Sequence, residues 1–229
     1  MPQAASLFDT PVIIDQMPEA ARINMRLKAA ILARMAESDG LTISNMGGWH
    51  SDTQMIEWGG EEAVALVRRI VAAADRFTVD IKAGASPRHR WVPEMWANVS
   101  PPGASNRHHS HPGAFWSAVY YVDDGYCGSA DRDLGGELVL FDPRMPMVRM
   151  TAPDLRFRRP GQSPEHDEAQ FRPAAGRIVM FPAWLSHAVN PYRGTGQRIS
   201  IAVNLTAVAA LAPAGAQGRS AGDGREGAP

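Results

Sequence analysis

Residues 106–125 read NRHHSHPGAFWSAVYYVDDG, and the reading of the whole chain starts from them. Three of the seven histidines, His108, His109 and His111, fall within four positions, and an apolar, β-prone run follows at once. In a strand, residues i and i+2 point to the same face. His109 and His111 therefore project together, and His108 projects the other way. Two same-face imidazoles can supply two adjacent ligands to one metal ion, and a third must come from another strand. His187, in FPAWLSHAVNPY, stands just after the β-prone run GRIVMFP and is the natural candidate. Imidazole suits iron, zinc, copper and nickel. A surface patch or a packing pair is the other reading of an HxH taken alone.

The period of the sequence changes at about residue 90. Beyond it come short β-prone runs separated by Gly, Pro and Asp: RWVPEMWANVS, FWSAVYYV, GELVLFD, MVRMTA, GRIVMFP and RISIAVNLT. Such a series predicts an antiparallel sandwich or barrel. Before it, Ile23, Leu27, Ile31 and Met35 recur at i+4 from a helix start near Pro18, with Gly40 as the expected cap. A second helix is expected over 60–77, where Ala63, Leu66, Val67, Ile70 and Ala74 share a face and Glu61 and Glu62 suit the helix dipole. Upstream of both, PVII is a candidate short strand. The fold class expected is thus mainly β with N-terminal helices. One domain spans 1–206, with a helical layer at about 18–77 and a β core at about 90–206. Residues 207–229, rich in Gly, Ala and Pro without periodicity, read as a disordered tail.

Composition narrows the function classes. The chain has 229 residues, 45% hydrophobic and 21% charged, with Lys+Arg 23 against Asp+Glu 24 and a net charge of -1. That balance gives no global electrostatic case for nucleic acid or an anionic membrane as partner. No basic n-region precedes an apolar segment at the N-terminus, and no apolar run approaches the ~20 residues that span a bilayer. The lone cysteine, Cys127, forms no intrachain disulfide and suits a reducing compartment, so a cytoplasmic location is expected.

The order of parts carries more information than any one of them. HSH at 109–111 precedes an aromatic strand, a glycine-led strand follows at 135–142, then comes His187, and Arg198-Ile199-Ser200 lies eleven residues further on. This order resembles that of the Fe(II)/2-oxoglutarate-dependent dioxygenases, whose core is a double-stranded β-helix, or jelly roll. AVYYVDD and GGELVLFDP look like strands of the prolyl-hydroxylase-type branch. SNMGGWHS, WANVS, HSHPGAFWSAVYYV, LVLFDPR, FPAWLSHAVNP and RISIAVN together resemble a group of bacterial 2OG-Fe(II) oxygenases, over about residues 43–206.

The resemblance implies Fe(II) and 2-oxoglutarate as cofactors, O2 as a further substrate, and hydroxylation of a small molecule or peptidyl residue with release of succinate and CO2. His109, His111 and His187 would hold the metal. Arg198 would pair with the distal carboxylate of 2-oxoglutarate, its planar fork matching that group. Ser200 shares the strand face of Arg198, and the alternation continues to Ala202 and Asn204. Tyr121, with Tyr120 as the alternative, would reach the cosubstrate, and Asn98 lies on the face of Trp96. One departure stands out: the superfamily keeps a carboxylate where this chain has His111. Asp123, Asp124 and Glu137 lack the i+2 relation to His109 and are not assigned to that place. The departure leaves two other readings open, a cupin-like three-histidine metalloenzyme that does not use 2-oxoglutarate, and a non-catalytic metal- or ligand-binding module. Trp49 and His50 in GGWHS form either a substrate lid or ordinary packing. His89, His166 and the basic stretch RFRRPGQSPEH read as solvated loop.

Overall fold

The computed structural model describes residues 8–82, 88–144, 152, 154–155 and 167–210. The chain runs β1 (Ile13–Gln16), α1 (Ala20–Glu37), β2 (Asn45–Met46), β3 (Trp49–His50), α2 (Met55–Trp58), α3 (Gly60–Phe77), β4 (His89–Ser100), β5 (Ser105–His109), β6 (Trp116–Asp123), β7 (Leu138–Phe141), β8 (Glu168–Phe171), β9 (Arg177–Pro182), β10 (His187–Val189) and β11 (Arg198–Ala209). Two antiparallel sheets form, a six-stranded one in the order β1-β9-β6-β11-β4-β3 and a five-stranded one in the order β2-β5-β10-β7-β8. This is the jelly roll the sequence predicted, with helices added on one side.

The period of two decides which side chains meet. Along β11, Ile199, Ile201, Val203 and Leu205 join a core with Leu27 and Ile31 of α1 and Leu66 and Ile70 of α3. On β4 and β6, Met95, Ala97, Val99, Ala118, Tyr120 and Val122 belong to the same layer. The alternate residues face the space between the sheets, where Tyr121, Leu138, Leu140, Val179, Phe181 and Leu185 form a second, smaller core. Burial of both layers supplies the main favourable term for the fold. The in-facing set of β11 and β4, by contrast, is polar: Arg198, Ser200, Asn204 and Asn98 point into a cavity rather than into packing.

The helix over 60–77 forms with the expected bounds and the expected buried face. The first helix starts at Ala20 behind a left-handed Glu19 and ends at Glu37, where Ser38 is already extended. Gly40 is therefore not its cap. It takes a φ of 77° two residues later, in a turn where an added Cβ would meet Trp49 at 2.6 Å. The last strand continues to Ala209, because residues 207–209 complete its pairing with β4, so the expected tail begins later than residue 207. The run MVRMTA apart from Ala152, the stretch RFRRPGQSPEH with His166, and residues 211–229 lie outside the described residues. His89 opens β4 and sits 3.5 Å from Asp80. No helix among the described residues is long and apolar enough to cross a membrane.

Candidate metal centre

His109 and His187 are register partners on the paired strands β5 and β10. Their ring centroids lie 4.3 Å apart, and His111 completes a triangle at 5.0 Å from each. One nitrogen from each ring lies within 4.8 Å of the others. The strand argument explains only part of this. β5 ends at His109, so His111 reaches the cluster from the loop beyond the strand, its backbone N–H donating to Ala183 O at 2.9 Å. His108 turns away, as the alternation requires, and meets Phe141 edge-on at 4.8 Å.

The protonation pattern suits a metal. His109 Nδ1 lies 2.6 Å from Arg107 O and His187 Nδ1 lies 2.9 Å from Leu185 O. A carbonyl only accepts, so both Nδ1 atoms carry the proton and both Nε2 atoms present a lone pair. Burial, reinforced by the neighbouring imidazoles, holds His187 down at about 3 and His111 at about 4. His109 is lowered too, again mainly by burial. Three neutral imidazoles at neutral pH are the form that binds a divalent cation. No carboxylate belongs to the cluster among the described residues. Asp123 pairs with Lys28 at 2.7 Å, Asp124 accepts from the Tyr126 N–H, and Glu137 lies by Asn190.

The cavity that holds the three rings continues to Arg198, with Asn98, Ser200, Ala202 and Asn204 along its wall. Arg198 is only 2% exposed and forms no ion pair among the described residues. Its Nε, the Tyr121 hydroxyl and Asn98 Oδ1 are all buried without a hydrogen-bond partner. An uncompensated buried charge costs several kcal/mol, so this end of the cavity is built for an anion. The guanidinium carbon lies 5.3 Å from the Tyr121 ring centroid. Burial pushes the Tyr121 hydroxyl upward, against the opposing charge of Arg198, and keeps it a neutral donor. Tyr120 is the outward tyrosine, bonded to Asn24 in the helical layer, so only Tyr121 fits the predicted place. Gly136 explains the glycine-led strand: a Cβ there would lie 3.2 Å from Arg198 Cδ and 3.3 Å from the Tyr192 ring. The donor set therefore fits both groups the sequence implied, a divalent metal at the histidines and a dicarboxylate reaching toward Arg198.

Residues 94–204, which carry all three histidines and Arg198, match the family described as "Putative 2OG-Fe(II) oxygenase". Over that stretch the chain is similar to the 2OG-Fe(II) oxygenases. No curated protein matches the sequence. Among solved structures, a prolyl-4-hydroxylase from Pseudomonas putida is similar at a TM-score of 0.51 and 20% identity, covering 86% of this chain and 92% of its own. A prolyl hydroxylase from Trichoplax adhaerens, in complex with a hypoxia-inducible-factor peptide, gives 0.57 and 13%, covering 85% and 83%. The α-ketoglutarate-dependent epimerase SnoN of nogalamycin biosynthesis gives 0.60 and 14%, covering 96% and 90%. At these identities the likeness concerns the fold. The family match and the three-histidine cluster are in keeping with Fe(II) and 2-oxoglutarate as the groups this site takes.

An outer cleft of about 430 Å³ opens beside the histidine cluster, lined among others by Ser44, His50, Glu94, Trp96, Arg107 and His108. The sequence left His50 between lid and packing. It is buried, stacks on Trp96 at 5.5 Å and lines the cleft. Its Nδ1 donates to Ser51 O at 2.6 Å, which leaves Nε2 as an acceptor. Burial lowers its basicity. Trp49 instead donates its indole N–H to Ser38 O at 2.9 Å, away from the cleft. Sequence reasoning missed Ser44, Ser117 and Phe181. Ser44 lies 3.5 Å from His109 Nε2 and lines both cavities, yet it precedes a two-residue strand and shows no period. Ser117 and Phe181 were legible in principle, being in-facing positions of runs already read as strands. Ser117 donates to Asn204 Oδ1 at 2.7 Å, which leaves the Asn204 NH2 as a donor. Cys127 is exposed, takes a φ of 52° and stands outside the metal cluster.

Proposed function

We propose that the protein is a 2OG-Fe(II) oxygenase that hydroxylates a C–H bond of a small molecule or peptidyl residue seated in the outer cleft, while 2-oxoglutarate is converted to succinate and CO2. When bound, Fe(II) supplies the redox chemistry that couples these two oxidations. His109, His111 and His187 are the proposed ligands, each offering a neutral imidazole. Arg198 takes the distal carboxylate of the cosubstrate in a bidentate pair, with Ser200 and Tyr121 as further donors. Asn98 needs its amide turned over to donate, a change that costs it no existing bond because its oxygen has no partner. Asn204 stands where the inner cavity meets the outer cleft. The apolar walls supplied by Leu138, Phe181 and Val189 limit water around the reacting groups. A single exposed cysteine supports a reducing, cytoplasmic setting.

One observation carries this reading: a buried arginine with no ion-pair partner among the described residues and three converging imidazoles share one cavity. Anaerobic titration of the Fe(II)-loaded protein with 2-oxoglutarate tests it. A metal-to-ligand charge-transfer band is expected in the native protein and not in Arg198→Ala, and succinate should form once O2 is admitted. A native protein with no band and no succinate above a metal-free control would overturn the proposal.

A further inference from the structure

The three histidines are not held alike. His109 and His187 sit opposite each other on a hydrogen-bonded ladder, and each Nδ1–H is tied to a backbone carbonyl two residues earlier. Their rings have one tautomer and one direction. His111 stands two residues past the end of β5, just before the Pro112-Gly113 turn, where Gly113 has a φ of 96°. Its backbone is fastened, the N–H to Ala183 O and the carbonyl to the Ala114 N–H at 3.3 Å. Its ring nitrogens make no hydrogen bond to any described residue. Apart from the other two imidazoles, the ring contact it has is with Trp96, tilted 59° at 5.7 Å. Like His109, His111 lines both the inner cavity and the outer cleft, so open space lies on two sides of its untethered ring.

An outer-shell partner fixes a histidine's tautomer and raises its basicity, and losing one typically costs 10–100-fold in metal affinity. His111 lacks that support, and no strand pairing stiffens its backbone. Resting on the assignment of these three residues as ligands, we propose that His109 and His187 form the permanent chelate and that His111 is an exchangeable ligand. Its ring leaves the metal toward the outer cleft and frees a coordination position beside the substrate site. That position takes a small monodentate donor, a carboxylate or an imidazole. It is also the position the wider superfamily gives to a carboxylate, so the substitution has changed how firmly the third ligand is held as well as its charge.

The test uses the full chain and Co(II), whose visible bands report its coordination. Affinity is measured by competition with a chelating dye for the native protein, His111→Ala, His109→Ala and His187→Ala, with folding checked by circular dichroism. His111→Ala should lose about 10-fold or less, and each of the other two about 100-fold or more. Adding imidazole or acetate to Co(II)-loaded His111→Ala should change the bands as the vacated position fills. Since the buried His187 variant can fail to fold, a second measurement uses the native protein: in its Zn(II) form, imidazole 15N resonances should show millisecond exchange for His111 and none for His109 and His187. Equal losses for His111→Ala and His109→Ala, or a rigid His111 ring, would overturn exchangeability and leave the metal assignment standing. A native protein that binds no Co(II) would overturn both.

Discussion

Replacing Arg198 by methionine should move stability and cosubstrate binding in opposite directions. Arg198 is 2% exposed, and its Nε is buried without a partner. The fold carries the desolvation of a guanidinium that has no ion-pair partner among the described residues and lies 5.3 Å from the Tyr121 ring. Exchanging buried charged groups for apolar side chains of similar volume is often neutral or stabilising by about 1–4 kcal/mol. For a domain of this size each kcal/mol moves the melting temperature by roughly 2–4 °C. Arg198→Met should therefore melt at the native temperature or several degrees above it. Binding behaves otherwise, because removing one partner of a buried ion pair costs about 3–5 kcal/mol, and 1.4 kcal/mol is tenfold. The dissociation constant for 2-oxoglutarate should rise by about two to three and a half orders of magnitude. Arg198→Lys keeps the charge but not the planar fork and should fall between. Differential scanning calorimetry of the metal-free protein and anaerobic calorimetric titration of the metal-loaded protein give the two numbers. A variant that melts well below the native protein while binding 2-oxoglutarate unchanged would mean that Arg198 is structural and the anion site lies elsewhere.

The remaining expectations concern the walls of the same cavity. Gly136→Ala forces a Cβ against Arg198 and Tyr192 at a φ of 81°, so it should destabilise by about 1–3 kcal/mol in urea unfolding and weaken 2-oxoglutarate binding in the same titration. His50→Phe keeps a ring on Trp96 but removes the Nε2 acceptor; 2-oxoglutarate affinity and uncoupled succinate formation should persist while substrate hydroxylation falls. The histidines also set a pH dependence. Their basicity is depressed in the fold, to about 3 for His187 and about 4 for His111, so below 6.5 the unfolded chain takes up protons that the folded chain refuses. Their contribution is complete above 6.5 and is lost as pH falls from there toward 4 and 3. His187→Asn should therefore flatten the stability profile between pH 7 and 5 in urea titrations of the metal-free protein, and an unchanged slope would show that the ring is solvated.

How much of this was legible depended on whether a residue's place follows from its neighbours in sequence. Arg198, Ser200, Ala202 and Asn204 lie on a long regular strand, so the period of two alone put them on one face, and the structure has them there. The helix at 60–77 was equally plain, since an apolar stripe and an acidic first turn agree. The His109–His187 pairing could be guessed only from the order of motifs, because it is made across 78 residues by a three-residue strand too short to show a period. His111 was placed correctly for an incomplete reason: strand alternation predicted its direction, yet the strand has ended before it and a bond to Ala183 does the work. His50 and Ser44 were hardest. They come from a segment with strands of two residues, whose approach to the cleft is fixed by tertiary contact alone.

The charge of the site gives the histidine at position 111 a consequence that packing does not. A centre with two histidines and a carboxylate offsets one unit of a divalent ion's charge, and three neutral imidazoles offset none. Burial keeps those imidazoles neutral, and no carboxylate among the described residues stands close enough to replace the missing one. With Arg198 the cavity then holds three positive charges once a divalent ion is bound, and the doubly negative cosubstrate leaves one. Coulomb energy between buried charges is large and is poorly screened by salt. The cavity should therefore bind 2-oxoglutarate more tightly with metal than without it, by a margin that high salt reduces little. His111→Asp should shrink that margin by supplying the negative charge from the protein. Calorimetric titration of 2-oxoglutarate with and without Mn(II), at low and high salt, reads the margin directly. If the native protein and His111→Asp gave the same margin, the third position would influence the metal through geometry and not through charge.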